Sequence, residues 1–289
     1  MGVLQAVFLG FLQGVTEFLP VSSSGHLALF KNLFGLSDVG IAFDILLHIG
    51  TLIAVFAAYW KDVVKLFANG IAILIDVFYN VSAFFKNLAG NRLRYRRVVC
   101  TAYRKFVMLI VVSTIPTAVI AILTGDIIEA SEKTLIISAI CLLITGVLLL
   151  IADELPEGMR TPKQTSYLHA VVVGMVQGLA TLPGISRSGS TITACLGCGF
   201  RKDFAVKYSF LMSIPAILGA GILKLGDLGT DQTGAPGFLA CLLGMIVAAA
   251  AGYICIKTML VVVRRKKYRF FAYYCFIVGG ISFITYFVK

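Results

Sequence analysis

The sequence has little charge. Only 13% of its 289 residues are charged, whereas soluble domains carry about 25%. Hydrophobic residues make up 59% of the chain, and the mean hydropathy is +0.94. This composition excludes an ordinary soluble domain and predicts an integral membrane protein.

The apolar runs do not alternate with polar residues, which argues against a membrane β-barrel. Backbone groups inside a bilayer must be paired within their own segment, and runs of about 20 residues suit helices. The sequence therefore predicts an all-α integral membrane protein. Six transmembrane helices are predicted at residues 41–60, 106–124, 134–152, 208–226, 237–260 and 270–288.

Several common motifs are also missing. No Lys or Arg precedes Lys31, so the N-terminus lacks the basic region of a cleaved signal peptide, and we expect it to stay in the mature protein. The seven cysteines lie mostly in apolar runs, which argues against a disulfide framework. Cys195-x-x-Cys198 has no second pair and no nearby His, so packing is its preferred interpretation.

The net charge of +11 is concentrated in two basic blocks. The blocks consist of Lys86, Arg92, Arg94, Arg96, Arg97, Arg104 and Lys105, and of Arg264, Arg265, Lys266, Lys267 and Arg269. Short basic loops of membrane proteins lie on the cytoplasmic side and contact anionic head groups. We therefore expect membrane lipid as a partner and no nucleic acid.

Residues 66–85 are ambiguous, because Asn69, Asp76, Asn80 and Ser82 interrupt their apolar pattern. This mixture favours a helix that lies in the membrane interface. A full span is the alternative.

A polar segment occurs twice in this largely hydrophobic sequence. The first copy is Gln13 to His26 (QGVTEFLPVSSSGH), and the second is Gln177 to Thr191 (QGLATLPGISRSGST). A gapless shift of 164 positions superimposes Gln-Gly, Ser-x-Ser-Gly and several apolar residues. Because polar groups in a bilayer are costly and usually functional, the two copies predict one site built from both halves.

Each copy of the polar segment separates two short helices, and we call the two copies the first break and the second break. Short helices are predicted at 2–18 and 27–35 around the first break, and at 167–181 and from near Ser190 around the second. Pro and Gly in the breaks end helices. We interpret each pair as re-entrant, entering and leaving the membrane on one side, with its break shielded by protein or facing water.

Placing both basic blocks inside fixes the topology. Each half then contains one re-entrant pair and three spans, with the first pair entering from outside and the second from inside. The acidic links lie outside: Asp126, Glu129 and Glu132, and Asp227 and Asp231. An odd number of spans gives the halves, about 1–152 and 167–289 of a single membrane domain (1–289), opposite orientations. Such inverted repeats bind ligands at the repeat interface. If residues 66–85 also formed a transmembrane helix, the two halves would be parallel.

The first break carries acid–base chemistry. Glu17 lies one helical turn from Gln13 on the same face, and an intramembrane acid suggests a metal ligand or general base. His26 can accept or deliver a proton, and Ser23 lies three residues before it, so that the two are candidates for nucleophile and base. His48 and His169 lack such neighbours, and we interpret them as structural.

The second break carries an anion site. Arg187 presents a planar fork that suits phosphate oxygens, and the flanking glycines Gly184 and Gly189 bring backbone N–H groups close. Hydroxyls that cap a helix N-terminus can bind the same anion. The hydroxyl candidates are Ser22, Ser24, Ser186, Ser188, Ser190 and Thr191. One acid, one imidazole, one arginine and several hydroxyls indicate a phosphorylated substrate, although no Walker lysine motif is present.

At these residues the chain resembles the undecaprenyl pyrophosphate phosphatase family, the bacitracin-resistance proteins. The matching motifs are Gln13-x-x-x-Glu17 continuing through Phe-Leu-Pro-Val-Ser-Ser-Ser-Gly to His26, and Pro-Gly-x-Ser-Arg-Ser from Pro183 to Ser188. They lie in the family's order, and the hydropathy pattern agrees over almost the whole length.

The resemblance implies an enzyme of the bacterial plasma membrane that removes the terminal phosphate of undecaprenyl diphosphate and recycles the lipid carrier for wall polymers. It also implies a site open to the outer face. The family's functional residues carry over to Glu17, Ser23, His26, Ser186, Arg187 and Thr191. Many members have Glu where this chain has Gln13, so a Mg²⁺ or Ca²⁺ cofactor is expected to rest on Glu17, substrate diphosphate and water.

Two other functions compete with hydrolysis. Inverted repeats and broken helices are typical of transporters, so a transporter or flippase of a polyprenyl phosphate or another anion is the alternative. A membrane scaffold explains neither the paired breaks nor Glu17. The attacking group (Ser23 or an activated water), the tail-length preference and the assembly state, with a homodimer as one option, stay open.

Overall fold

The computed structural model describes residues 1–35, 40–132, 134–225, 237–265 and 267–288. Within these ranges the chain forms α-helices and no β-strand, apart from an isolated bridge between Arg160 and Phe200. The helices are α1 (Val3–Phe18), α2 (Ser23–Leu33), α3 (Ile41–Ala58), α4 (Trp60–Leu88), α5 (Ala102–Leu123), α6 (Gly125–Glu132), α7 (Leu135–Glu154), α8 (Tyr167–Leu179), α9 (Arg187–Gly197), α10 (Lys202–Leu225), α11 (Phe238–Arg264) and α12 (Tyr268–Val288).

Six of the described helices are long and apolar enough to cross a membrane: α4, α5, α7, α10, α11 and α12. The 18-residue α3 is shorter and equally apolar. The chain is therefore a multi-pass, all-α integral membrane protein, as predicted. Predicted boundaries were less accurate, since α10 begins at Lys202 and α11 continues to Arg264. The predicted acidic link with Asp227 and Asp231 lies outside the described residues.

Helices α5, α7, α10, α11 and α12 each have one end at what we call the basic end. The contacts that define it are Phe106 of α5 with Phe204 of α10, Arg264 of α11 with Asp203 of α10, and Arg269 of α12 with Asp153 of α7. Consequently α5, α10 and α12 begin at the basic end, whereas α7 and α11 end there.

Close contacts at glycines show the directions of α1 and α8, the first helix of each short pair. A Cβ on Gly10 of α1 would collide with the backbone of Gly244 in α11, and one on Gly174 of α8 would collide with the carbonyl of Ser113 in α5. Gly10 and Gly174 are equivalent under the shift of 164. Further along, Gly14 meets Ala248–Gly252 and Gly178 meets Ile120, so each short helix runs parallel to its partner. Because α11 runs toward the basic end and α5 runs away from it, α1 and α8 are antiparallel, as an inverted repeat requires.

After α1 and after α8, the chain turns back at the break, and the next helix returns toward the end where the first one began. The rings of Phe8 in α1 and Phe30 in α2 lie 5.2 Å apart, so α2 returns to the end where α1 begins. In the second copy, Arg160 before α8 pairs through its backbone with Gly199 after α9. The first pair therefore begins and ends away from the basic end, and the second begins and ends at it. Re-entrant insertion of the pairs into the membrane stays a prediction.

The region 66–85 belongs to one continuous helix, α4. Phe43 and Ala54 of α3 lie against Gly244 and Gly252 of α11, respectively, so α3 ends at the basic end. Helix α5 begins at that same end. The connecting helix α4 therefore cannot cross the membrane once, because a single crossing would make α5 begin at the opposite end. Although α4 is long enough to span, this connectivity favours the interfacial interpretation and keeps the halves inverted.

The close approach of α8 to α5 predicts a stability effect. Gly174→Ala forces a methyl group into the carbonyl of Ser113 and the ring of Pro116, and overpacking of this kind costs about 1–3 kcal/mol. Gly280→Ala is the matched control, because a Cβ there meets nothing within 4 Å. We expect thermal unfolding in detergent to show a lower Tm for Gly174→Ala alone. Equal Tm values for the two variants would show that α8 and α5 tolerate separation.

Candidate active site

The first break places a carboxylate beside an amide and a hydroxyl. At the end of α1, Gln13 Nε2 donates to Glu17 Oε2 at 3.2 Å. Ser23 Oγ at the start of α2 donates to the same oxygen at 2.5 Å. Gln13 is fully buried and Glu17 is 7% exposed. The predicted pair on one helix face is therefore present, with Ser23 added by the return of the chain.

Ser22 sets the turn between α1 and α2. Its φ of 70° is a left-handed conformation, and it is the one non-glycine residue with positive φ in the described part of the chain. Such a backbone costs about 1–3 kcal/mol and is often found at functional sites. Ser22 Oγ accepts from the N–H of Gly25 at 3.3 Å, which starts α2 at Ser23, four residues before the predicted position.

The second break uses the same device. Ser186 Oγ accepts from the N–H of Gly189 at 3.1 Å and starts α9 at Arg187, not near Ser190 as predicted. Gly184 adopts a φ of 96°, where a Cβ would collide with the carbonyl of Ser138. Thr145 Oγ1 holds the turn, since it donates to the Gly184 carbonyl at 3.1 Å and accepts from the Ser186 N–H at 3.0 Å.

The two breaks meet in space. Arg187 Nη2 forms a salt bridge with Glu17 Oε1. The N–H of Gly184 donates to Ser24 Oγ at 3.3 Å, and Ser188 Oγ donates to the carbonyl of Leu19 at 3.3 Å. Glu17 therefore binds Ser23 with one oxygen and Arg187 with the other, and these two residues are equivalent positions of the repeat.

The structure does not bring His26 to Ser23. His26 Nδ1 lies 2.7 Å from the carbonyl of Ser22, which can only accept, so Nδ1 carries the proton. Nε2 then accepts from the hydroxyl of Tyr274 at 2.8 Å, and the two rings stack with centroids 5.5 Å apart. The predicted nucleophile and base pair is absent from this arrangement, and Glu17 is the group in contact with Ser23.

Thr191 also lies away from the break. It is fully buried, and its hydroxyl contacts the carbonyl of Arg187 at 2.8 Å and Ser209 Oγ at 2.6 Å. These contacts tie α9 to α10 behind Arg187. Ser186 likewise uses its hydroxyl as a cap, so both residues position the break in this structure.

Tyr274 contacts His26, and the sequence did not single it out. It lies 248 residues from His26 in the aromatic-rich α12, where nothing distinguishes it from neighbouring tyrosines. The other two histidines have local hydrogen-bond partners, and their structural interpretation stays a prediction. His48 Nδ1 lies 2.8 Å from the carbonyl of Asp44, and His169 Nε2 lies 2.8 Å from Arg160 Nη1.

The donors at Glu17 suit a hard cation better than a soft one. Gln13 Oε1 is buried and has no hydrogen-bond partner, which leaves a free oxygen ligand beside a carboxylate. No group of three or more His, Cys, Asp or Glu residues in the described ranges is placed to hold a metal ion by itself. Cys195 and Cys198 are free thiols, so the CxxC pair does not belong to such a cluster.

Comparison with known proteins identifies the family. The profile of the bacitracin resistance protein BacA family matches residues 6–281. The chain belongs to this family. An undecaprenyl-diphosphatase of Methanosphaera stadtmanae is 41% identical over 284 residues, which cover 98% of each chain. Proteins of the same name from Alkaliphilus metalliredigens and Halothermothrix orenii are 40% and 39% identical, over 97% and 96% of this chain and 98% and 96% of their own lengths.

Proposed function

We propose that this protein hydrolyses undecaprenyl diphosphate to undecaprenyl phosphate and inorganic phosphate, which recycles the lipid carrier for cell-wall synthesis. Its membership of the BacA family and its similarity to several proteins named undecaprenyl-diphosphatase support this activity. The observation that carries the proposal is the contact of Glu17 with Ser23 from one break and Arg187 from the other. An acid, a hydroxyl and a guanidinium at one point are the groups that phosphoryl transfer requires.

Arg187 binds the diphosphate in this proposal. Glu17 is almost completely buried, and the Arg187 side chain is 21% exposed. The substrate therefore reaches the guanidinium first, and its phosphate oxygens replace Glu17 as the partner of Arg187. The breaks that precede α2 and α9 contact each other through the Gly184 N–H and Ser24 Oγ, so the N-termini of both helices can add N–H donors for the anion.

Glu17 becomes the proton acceptor once Arg187 has turned to the substrate. Ser23 Oγ already donates to Glu17, so attack by Ser23 on the terminal phosphorus passes its proton to the carboxylate. The bond to the bridging oxygen breaks, undecaprenyl phosphate leaves, and water hydrolyses the phosphoserine. A water activated by Glu17 is the other route, in which phosphate forms in one step.

A divalent cation, Mg²⁺ or Ca²⁺, fits the oxygen donors of this site. Glu17 and the unpartnered Oε1 of Gln13 are the residues that would hold it, with remaining ligands from the diphosphate and water. When bound, such an ion supplies positive charge that neutralises the phosphoryl oxygens. His26, held as the Nδ1-protonated tautomer between Ser22 and Tyr274, would manage protons at the edge of the site.

We also place the protein in the bacterial plasma membrane, with its site open to the outer face. The support is topological: the α1–α2 pair begins and ends opposite the basic end, and basic loops lie in the cytoplasm.

Phosphate release by the purified full-length protein tests the proposal. In nanodiscs with undecaprenyl diphosphate and Mg²⁺ we expect stoichiometric phosphate and monophosphate, and much less of both with excess chelator. A transporter would bind the lipid and release no phosphate, which would overturn the proposal. Trapping of phosphoserine at Ser23 would support covalent attack, whereas direct transfer of water oxygen-18 in a single turnover would support water.

The contact of Tyr274 with His26 predicts a kinetic effect. Tyr274→Phe keeps the stacked ring and removes one hydrogen bond, which is worth roughly 1 kcal/mol. We expect kcat to fall about five- to tenfold with little change in KM, because the substitution affects the orientation of the His26 ring and not the binding of the diphosphate. Tyr273→Phe is the control, since Tyr273 is 58% exposed on the same helix. Equal kcat values for both variants would remove Tyr274 from the site.

A further inference from the structure

The polar side of α4 is covered by the segment that follows it, residues 90–101, which we call the basic segment. Asn80 binds both backbone groups of one residue: its Nδ2 donates to the Arg96 carbonyl at 2.8 Å, and its Oδ1 accepts from the Arg96 N–H at 2.7 Å. Asn87 brackets Leu93 in the same way, at 3.0 and 2.7 Å. Two amides at a spacing of seven therefore hold the basic segment extended along one face of the helix.

Asp76 fastens the same face. Its two oxygens pair with Arg96 Nη1 at 3.3 Å and with Arg104 Nη1 at 2.6 Å. Arg92, Arg94 and Arg97 are exposed and form no salt bridge with the described part of the chain. The basic segment is thus fixed in place with three uncompensated positive charges on its surface.

The opposite face of α4 is an uncovered apolar stripe. Its members recur at spacings of three, four and seven residues, and each is at least 45% exposed: Trp60, Phe67, Ile71, Leu74, Phe78 and Phe85. Successive residues turn by about 100° along a helix, which puts this stripe opposite Asp76, Asn80 and Asn87. Exposed apolar surfaces of this size mark contact with a membrane or another protein.

The position of α4 favours the membrane. Both ends of its connection lie at the basic end. Side chains fourteen residues apart on α4 meet neighbouring residues at the start of α5: Asp62 at Tyr103, and Asp76 at Arg104. The helix therefore lies across the end of the bundle. With the stripe turned to the acyl chains, the basic segment lies about one helix diameter, ~10 Å, from the stripe, which is comparable to the Debye length.

We propose that α4 and the basic segment form a binding surface for an anionic phospholipid leaflet. The stripe enters the acyl-chain boundary, and Arg92, Arg94 and Arg97 attract and contact the anionic head groups. Charge complementarity selects this occupant over a second copy of the chain, whose basic end would repel its counterpart. The inference does not depend on the reaction at Glu17.

The single tryptophan of the chain, Trp60, provides the probe. Full-length protein is reconstituted in vesicles that carry bromine at defined depths in phosphatidylcholine or phosphatidylglycerol chains. Quenching is measured for Trp60 in the wild type and for the Trp60→Phe/Phe78→Trp variant. We expect both probes to lie at the same shallow depth, whereas a spanning helix would separate them by about 27 Å (18 residues at 1.5 Å each).

Head-group preference is measured on the Trp60→Phe/Phe78→Trp variant. Brominated phosphatidylglycerol is expected to quench more than brominated phosphatidylcholine at equal mole fraction, and Arg92→Gln/Arg94→Gln/Arg97→Gln to reduce this preference several-fold. Arg265→Gln/Lys267→Gln, two exposed charges at the same end, should leave it unchanged. Different probe depths, or a preference that survives the triple substitution, would overturn the proposal. Absence of quenching by either lipid would overturn it in favour of a protein partner.

Discussion

Arg187→Ala is expected to lower kcat/KM by about a thousandfold. Removal of one group that stabilises transition-state charge costs roughly 10²–10³ in rate, and Arg187 also binds the substrate. Arg187→Lys should recover only part of the loss, because an ammonium cannot make the bidentate contact of the guanidinium. Phosphate release in nanodiscs over a range of substrate concentrations measures both kcat and KM.

Folding must be checked in the same variant. Arg187→Ala leaves Glu17 buried without its cation, and an uncompensated buried charge is destabilising. Arg265→Ala, at an exposed position of the basic end, is the matched control for the loss of one arginine. A folded Arg187→Ala protein with near-normal turnover would show that Arg187 does not hold the diphosphate.

Glu17→Gln is expected to lower kcat by about a thousandfold and to change KM much less. The amide keeps the size of the side chain but cannot accept the proton of Ser23 or of water, and general acid–base groups contribute roughly 10²–10⁴ to the rate. The divalent-cation dependence should weaken in the same variant, because Gln13 would be left without a carboxylate beside it. Titration of Mg²⁺ against phosphate release measures this second effect.

Glu157→Gln is the control for this change, since Glu157 is 62% exposed at the basic end and pairs with Lys202. It should retain normal activity. Full activity of the Glu17→Gln protein would contradict the role of Glu17 as proton acceptor and would assign proton transfer to His26 or to oxygens of the substrate.

The sequence predicted those parts of the fold that lipid dictates. Long apolar runs must become helices in a bilayer, whereas the orientation inferred from the basic blocks stays a prediction. Helix ends were less accurate, because a residue such as Lys202 can extend a helix beyond the apolar region. The prediction of an interfacial α4 depended on its polar residues, and Asn80 and Asn87 bind the basic segment. The proposed boundary between halves, 152 to 167, stays a prediction.

The site was predictable where a residue stood out chemically. Glu17 and Arg187 are charged residues in apolar or tightly turned segments, and the structure pairs them. Contacts set by tertiary packing were not predictable: His26 bonds to Tyr274 from α12, and Thr191 faces Ser209. Ser23 and His26 are three residues apart but do not hydrogen-bond to each other, because the imidazole binds the carbonyl of Ser22 and the hydroxyl of Tyr274.

Duplication followed by divergence explains the arrangement. Ser22 and Ser186 occupy equivalent positions and cap α2 and α9 in the same way. At the next position the copies differ, with Ser23 in one and Arg187 in the other, and both side chains bind Glu17. The position equivalent to Glu17 is Thr181, whose hydroxyl only bonds to its own helix. The two breaks have similar structures, and their differences bring a hydroxyl, a carboxylate and a guanidinium into contact.

A double-mutant cycle between the two breaks tests this account most directly. Phosphate release would be measured for Glu17→Gln, Arg187→Gln and the double variant under identical conditions. Residues that act as one catalytic unit give strongly non-additive losses, so we predict a double variant about as active as the weaker single variant. A double variant whose loss equals the product of the two single losses would contradict the claim that both breaks form one active site.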